Sequence, residues 1–454
     1  MSAGDDAPPA GSPPSDAPVR PLKLLTDHPE RYATTNELHA RPFQPVEIPG
    51  RILSLALMPL ENAAERDAAR DRAHLTAFLD RHGAPHPAPE ANHYEHDFDR
   101  FRMKWERHTE FVSYTLYERG ETQDLFEGAL IGLLPPDWLA EAPGQVIAAV
   151  QLEILTAADG EGALECLRGP LRREFNAESL AVARVLDGAA LALGDFRIHE
   201  GGFSRFALVV YGEAGARRIG RLVQRLLEIE TYRAGAMLAL PVARKTARRL
   251  NEIERDMAHL ITLVADDQAA SESAILSELT ELSADLEAIA AATAFRFGAS
   301  NAYQALVHQR IQSLREERVQ GRQLFAEFMN RRFVPAMRTC QAAERRLDQL
   351  SVRAGRIAEL LRTRVNVAVE AQNQQLLASM DRRADLQLRL QETVEGLSVV
   401  AISYYAVSLA GYVVAPAATG LGLSKDLATA AVAVPIVLAV WAFVRRLRRR
   451  VTGR

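Results

Sequence analysis

Hydrophobic and polar positions change their period near the middle of this chain. Before about residue 213 the apolar residues come in short runs, many of them alternating; beyond it they recur every third or fourth position. The run RILSLALMP at 51–59 reads as a strand. Residues 62–82 have helical spacing with a charged face, and Pro85, Pro87 and Pro89 then break the pattern. Residues 93–108 alternate roughly with period two, and 109–118 do so more clearly, which predicts an antiparallel pair. A strand at 146–156, a hairpin over 179–193 with Gly188 at its turn, and a strand at 203–211 complete the set. Strands with only one or two helices between them imply an α+β domain with a mostly antiparallel sheet.

Beyond Ala214 the seams are helical. Leu250, Ile253, Met257, Leu260 and Val264 follow 3-4-3-4 spacing, as do Leu279, Leu282, Leu286 and Ile289, and again Leu347, Leu350, Ala354, Ile357 and Leu361. Such spacing lays one apolar line along a helix and predicts coiled-coil-like packing. The seams shift phase between blocks, so several helices are expected, with breaks at Pro241, around Asp266-Asp267, near Gly298 and at Pro335.

Two charge-free apolar runs close the chain, at 397–418 and 427–444. At 1.5 Å per residue a bilayer core takes roughly 20 residues, so both are long enough to span it. The short link holds Gly420, Gly422, Ser424, Lys425 and Asp426, and would force an antiparallel hairpin. Arg382, Arg383 and Arg389 precede the first run, and Arg445, Arg446, Arg448, Arg449, Arg450 and Arg454 follow the second. The positive-inside rule then predicts both termini on the cytoplasmic side of a bacterial inner membrane.

Composition adds limits. The 454 residues are 48% hydrophobic and 25% charged with a net charge of −4, a globular profile that gives no support to nucleic-acid binding. The basic residues are almost all arginine; Lys23, Lys104, Lys245 and Lys425 are the only lysines. Two distant cysteines, Cys166 and Cys340, make no disulfide framework and suit a reducing compartment. Residues 1–20, rich in Pro, Ala, Ser, Gly and Asp, read as a disordered tail without the basic and apolar regions of a signal peptide. The expected organisation is that tail, an α+β cytoplasmic domain at 21–213, a helical coiled-coil region at 214–395, a transmembrane hairpin at 396–445 and a basic cytoplasmic tail at 446–454.

Four stretches carry a resemblance: NELHARP (36–42), KWERHTEF (104–111), GRLVQRLLEIETYR (220–233) and QETVEGLSVVAISYY (391–405). On these the chain resembles a family of bacterial membrane-anchored proteins, domain-of-unknown-function family 3422, over nearly its whole length. The resemblance carries no catalytic residues with it.

Candidate chemistry is sparse. Nine of eleven histidines precede residue 200, and His93, His96, Asp97 and Asp99 lie together with His108 and Glu110 beyond. On one strand His93, Glu95, Asp97 and Asp99 would share a face and offer ligands to a divalent metal, although the spacing matches no metal signature and reads as well as a solvated polar face. Glu37 with His39 is a second candidate pair. Trp105, Arg107, His108 and Glu110 could line an anion pocket or form a cross-strand ladder. Glu230 and Arg233 are spaced as an i,i+3 ion pair on a helix that also carries Glu228 and Tyr232. Gly212, Gly215 and Gly220 lack the spacing of a phosphate loop. In the first span Ser398, Ala401, Tyr405, Ser408 and Tyr412 form a small-and-polar stripe, for packing or for lining a pore.

No catalytic motif is present, and no cofactor is called for. The expectation is a non-enzymatic, membrane-tethered scaffold or sensor that is a homo-oligomer with the lipid bilayer as its other partner. The alternative is an ion channel or transporter, since the layout is similar to the CorA-type magnesium channels. Their Gly-Met-Asn signature is absent here, where the corresponding stretch reads Gly411-Tyr412-Val413-Val414.

Overall fold

A computed structural model describes residues 27–37, 43–60, 63–120, 124–127, 130–265, 272–420 and 425–452. After helix α1 (Arg31–Glu37) come strand β1 (Gly50–Met58) and helix α2 (Ala68–His82), followed by strands β2 (His93–Asp97), β3 (Phe101–Arg107) and β4 (Val112–Arg119). Helix α3 (Pro136–Ala140), strand β5 (Gln145–Thr156) and helix α4 (Gly160–Arg168) lead to strands β6 (Ala181–Val185), β7 (Ala190–Ile198) and β8 (Ser204–Val210). Helices α5 (Ala216–Met237), α6 (Ala239–Ala265) and α7 (Glu272–Leu314) follow, then strand β9 (Glu317–Arg318) and helix α8 (Phe325–Phe328). A π-helical turn (Met329–Phe333) joins α8 to α9 (Val334–Gly420), and α10 (Lys425–Thr452) is the last element described.

The chain divides into two compact units, 1–256 with 284–352, and 257–283 with 353–454. In the first, nine strands form one sheet in the order β2-β3-β4-β1-β5-β8-β7-β6-β9, antiparallel at every described pairing except β5 with β8. Two successive strand–helix–three-strand stretches lie back to back, β1-α2-β2-β3-β4 and β5-α4-β6-β7-β8, with β1 and β5 adjacent at the centre. The mixed α and β architecture and the mostly antiparallel sheet are as the alternation predicts.

Side chains leave a strand alternately to its two faces, so each strand feeds two cores. From β1, Ile52 and Ala56 face the core built with α5, whereas Leu53, Leu55 and Leu57 face α2. On the long-helix side β6 and β7 present Ala181, Ala183, Ala190 and Ala192, whose small side chains leave room for helices to approach. Leu191, Leu193 and Val209 pack on the opposite side with Ala163 and Leu167 of α4. Helix α2 starts later than its spacing predicts. Asp67 caps it by accepting from the amides of Ala69 and Arg70, and Gly83 ends it in the left-handed conformation.

Several expectations change. Residues 93–108 are not one strand: Asp99 takes φ 64° between β2 and β3, and the alternating stretch folds on itself. The hairpin turn at Gly188 is present, with Leu186 and Asp187 also left-handed. Gly298 breaks nothing, because α7 runs through it. The break expected at Pro241 falls at Leu238, so the proline sits in the first turn of α6, where its missing N–H costs little. Pro335 makes no break either, because it lies just after the π turn inside a helical run that is continuous from Phe325. Asp266-Asp267 lie outside the described residues. The sheet also reaches beyond residue 213, since β9 adds to β6 from the helical region.

Most of the three seams is covered inside the chain, while Val264, Leu282, Ile289 and Ile357 are half-buried. Leu250, Ile253, Met257, Leu260, Leu279, Leu286, Leu347, Leu350, Ala354 and Leu361 are all buried. In the first unit Arg249 pairs with Asp285 across α6 and α7, Arg346 of α9 bonds Glu254 of α6, and Asn301 of α7 donates to Glu344 at 3.0 Å. In the second, Arg364 donates to the Val264 carbonyl at 3.4 Å.

Candidate functional site

Two of the resembling stretches meet inside the first unit. Glu110 follows β3 and is almost wholly enclosed; Arg296 of α7 places Nη2 2.9 Å from its Oε1. Burial, and the hydrogen bond and negative charge of Glu110, push the Tyr303 phenol up. Tyr303 stacks on Tyr232 of α5 at 5.6 Å, and Tyr232 meets the ring of Phe111 at 6.3 Å. The KWERHTEF stretch is thus tied to the GRLVQRLLEIETYR helix through α7.

Two residues before Tyr232 on α5, Glu230 accepts Ser204 Oγ at 2.7 Å and two bonds from Arg233, at 2.9 Å and 2.7 Å. Burial opposes the charge on Arg233, but Glu230 outweighs it and the guanidinium is held above its ordinary range. Its carbon lies 5.7 Å above the Phe196 ring. Both clusters are internal ion pairs that bind helix to sheet. Trp105, fully buried, is the ladder residue of its motif, opposite Tyr94 on one side and Tyr114 on the other. Lys104 and Glu106 pair at 2.9 Å on the same strand.

The other face of α7 lines a cleft of about 740 Å³. Val307, Ile311, Leu324, Met329 and Phe333 make its apolar wall, while Gln304, His308, Gln312, Asn330 and Gln341 supply polar groups. Gln341 bonds Gln304 at 2.9 Å, and Gln312 bonds His308 at 2.8 Å. Glu316 accepts the amides of Phe325 and Ala326, at 2.7 Å and 3.0 Å. Burial pushes its carboxyl up despite those two donors. The π turn forms one side of the cleft; such turns interrupt the regular ladder and recur at functional sites. Among the described residues no lysine or arginine lines this cavity. Its lining offers apolar contact together with hydrogen bonds from amides and an imidazole. Sequence reasoning missed it because the loop 315–324 that turns the chain between α7 and α8 carries no periodic signal.

The metal candidates do not assemble. His93, Asp97 and the intervening Glu95 share one side of β2, His96 lies on the other beside Phe98, and Asp99 sits in the turn. Glu95 is taken by Arg102 at 3.5 Å. Among the described residues no group of three such side chains is placed to hold an ion. His39 lies outside the described residues. Close packing, not phosphate binding, explains Gly220: a Cβ there would lie 1.6 Å from the Gln44 carbonyl oxygen.

In the second unit α9 and α10 touch at Gly411, where a Cβ would sit 3.3 Å from Cγ2 of Thr429. Ser403 and Gly411 are buried there, whereas Ser398, Ala401, Tyr405 and Tyr412 are exposed and Ser408 is half-buried. Two helices are long and apolar enough to cross a membrane, and only 6% of the first apolar window and 0% of the second is buried within the chain. A core helix of a soluble protein would be covered.

Fold and site together define an α+β domain joined to long helices, with an internal cleft and uncovered apolar C-terminal helices. The chain matches the family described as protein of unknown function (DUF3422) over residues 26–451, and it belongs to that family. No curated protein and no solved structure matches it.

Proposed function

We propose that this protein is a non-enzymatic sensor scaffold held on the cytoplasmic face of a bacterial inner membrane, binding an uncharged, partly apolar ligand in the α7–α9 cleft. One observation carries the reading: the helix that supplies Val334 and Gln341 to the cleft is the same helix, Val334–Gly420, that contains the charge-free segment 397–418. A ligand against Met329, Asn330 and Phe333 touches the turn where the backbone changes from π to α bonding, and so can favour one pattern over the other.

In this reading α10 and the end of α9 cross the bilayer as an antiparallel two-span hairpin. The arginines on both flanks keep both termini cytoplasmic, and the chain self-associates. The test is native mass spectrometry of the full chain in lipid nanodiscs, beside Ala305→Trp, which fills the cleft. A co-purifying small molecule present in the wild type and lost in the variant supports the reading. A wild type that carries none, and whose exchange protection over 325–341 no cell extract alters, overturns it.

A further inference from the structure

Helix α9 beyond residue 361 carries large apolar side chains that nothing among the described residues covers. Eighteen residues make five full turns, so Leu376, Val394 and Tyr412 lie on one line of the helix. They are 59%, 56% and 76% exposed. Met380 and Tyr405, at 58% and 72%, fall within about 40° of that line. Leu390 falls within about 40° of it as well, and Val369 extends it to about 65 Å, from Val369 to Tyr412. Ser403, half a turn round from Val394, is buried instead, so α10 covers a different side.

We infer that this line is a parallel, in-register interface with the same helix of a second copy. The inference rests on the membrane-anchored reading. The line runs without a break in phase from a segment flanked by charge into the charge-free span. Its occupant must therefore offer apolar groups at the same heights in water and in lipid. A second copy does so by construction, because the anchor orients every copy alike.

Size agrees. Seven side chains on the line each show half or more of their surface. At roughly 100 Å² each they bury about 700 Å² per copy, close to the roughly 800 Å² of a standard interface. Inside the span, pairing gives Tyr405 and Tyr412 hydroxyl partners that hydrocarbon cannot supply. Arg383 and Gln387 also fall on the line. A glutamine amide pairs with its own copy and fixes register, and an arginine head reaches past its stem into water.

The test uses the full chain in lipid nanodiscs with Cys166→Ser, Cys340 being buried. Single cysteines at Leu376, Val394 and Tyr405 are compared with Leu388 and Val413, which are equally exposed but about a third of a turn away. Oxidation should give disulfide-linked dimers at least about fivefold more readily at the three line positions, and native mass should show a multimer. A multimer that crosslinks as well or better through 388 or 413 overturns this interface and leaves self-association standing. A monomeric mass with no crosslink at any position overturns both.

Discussion

Arg296 places its Nη2 2.9 Å from Oε1 of Glu110, joining the long helix α7 to the end of β3 through an almost fully enclosed carboxylate. Removing one member of such a pair strands the other, at a cost of about 3–5 kcal/mol. Arg296 keeps 19% of its side chain exposed, so the low end, about 3 kcal/mol, is expected for Glu110→Ala by chemical denaturation. The double variant Glu110→Leu/Arg296→Met should recover most of that loss. A double variant no more stable than the single would show that the pair is not what anchors α7.

His74 sets a pH dependence. Its Nε2 is 2.9 Å from the Trp138 carbonyl, which can only accept, so Nε2 carries the proton and Nδ1 accepts from the Tyr114 hydroxyl at 2.7 Å. Burial pushes the imidazole below its ordinary range, only partly offset by the Trp138 bond. The unfolded chain therefore binds the proton more readily, and stability falls as pH drops below about 6.5 towards the folded-state value. His74→Gln keeps one donor and one acceptor without titrating. Its Tm should fall less than the wild type's between about pH 6.5 and 5, and equal slopes would remove His74 from the acid response.

Gly220→Ala should be among the costlier single-methyl changes in the chain. The added carbon meets the Gln44 carbonyl oxygen, a backbone atom that cannot swing aside. A loss of about 2–3 kcal/mol is expected. An unchanged Tm would mean that the segment around Gln44 yields without cost.

Deleting the chain from Leu397 onward should move it from the membrane fraction to the soluble one, and the intact protein should resist high-salt extraction. Arginine attraction to lipid headgroups is screened by salt, whereas the burial of two apolar helices is not. A reporter after Arg454 should read as cytoplasmic, and one at Gly422 as periplasmic. Periplasmic activity at Arg454 would reverse the topology.

Local pattern made much of the fold legible. Short apolar runs marked β1, β5 and β8, because a strand covered on both faces is apolar at nearly every position, and alternation marked β4. The charge-free runs at 397–418 and 427–444 marked the apolar helices, since length and absence of charge are properties of the chain itself. The Glu230–Arg233 pair was legible from i,i+3 spacing, and the structure adds Ser204 as its third member.

What pattern could not supply was partnership. The seams of α6, α7 and α9 read alike whether they meet one another or another copy, and only the tertiary structure shows them largely covered within the chain while the line through Leu376, Val394 and Tyr412 is left open by the described residues. His93, His96, Asp97 and Asp99 read as one cluster because they are near in sequence; one left-handed residue, Asp99, and the alternation of β2 set them apart. The meeting of Glu110 with Arg296, 186 residues apart, and the cleft on the far side of α7 follow from how the chain returns on itself. Sequence determined the local periods and the apolar spans of this protein; tertiary packing decided which apolar faces were covered, because burial depends on what arrives from elsewhere in the chain.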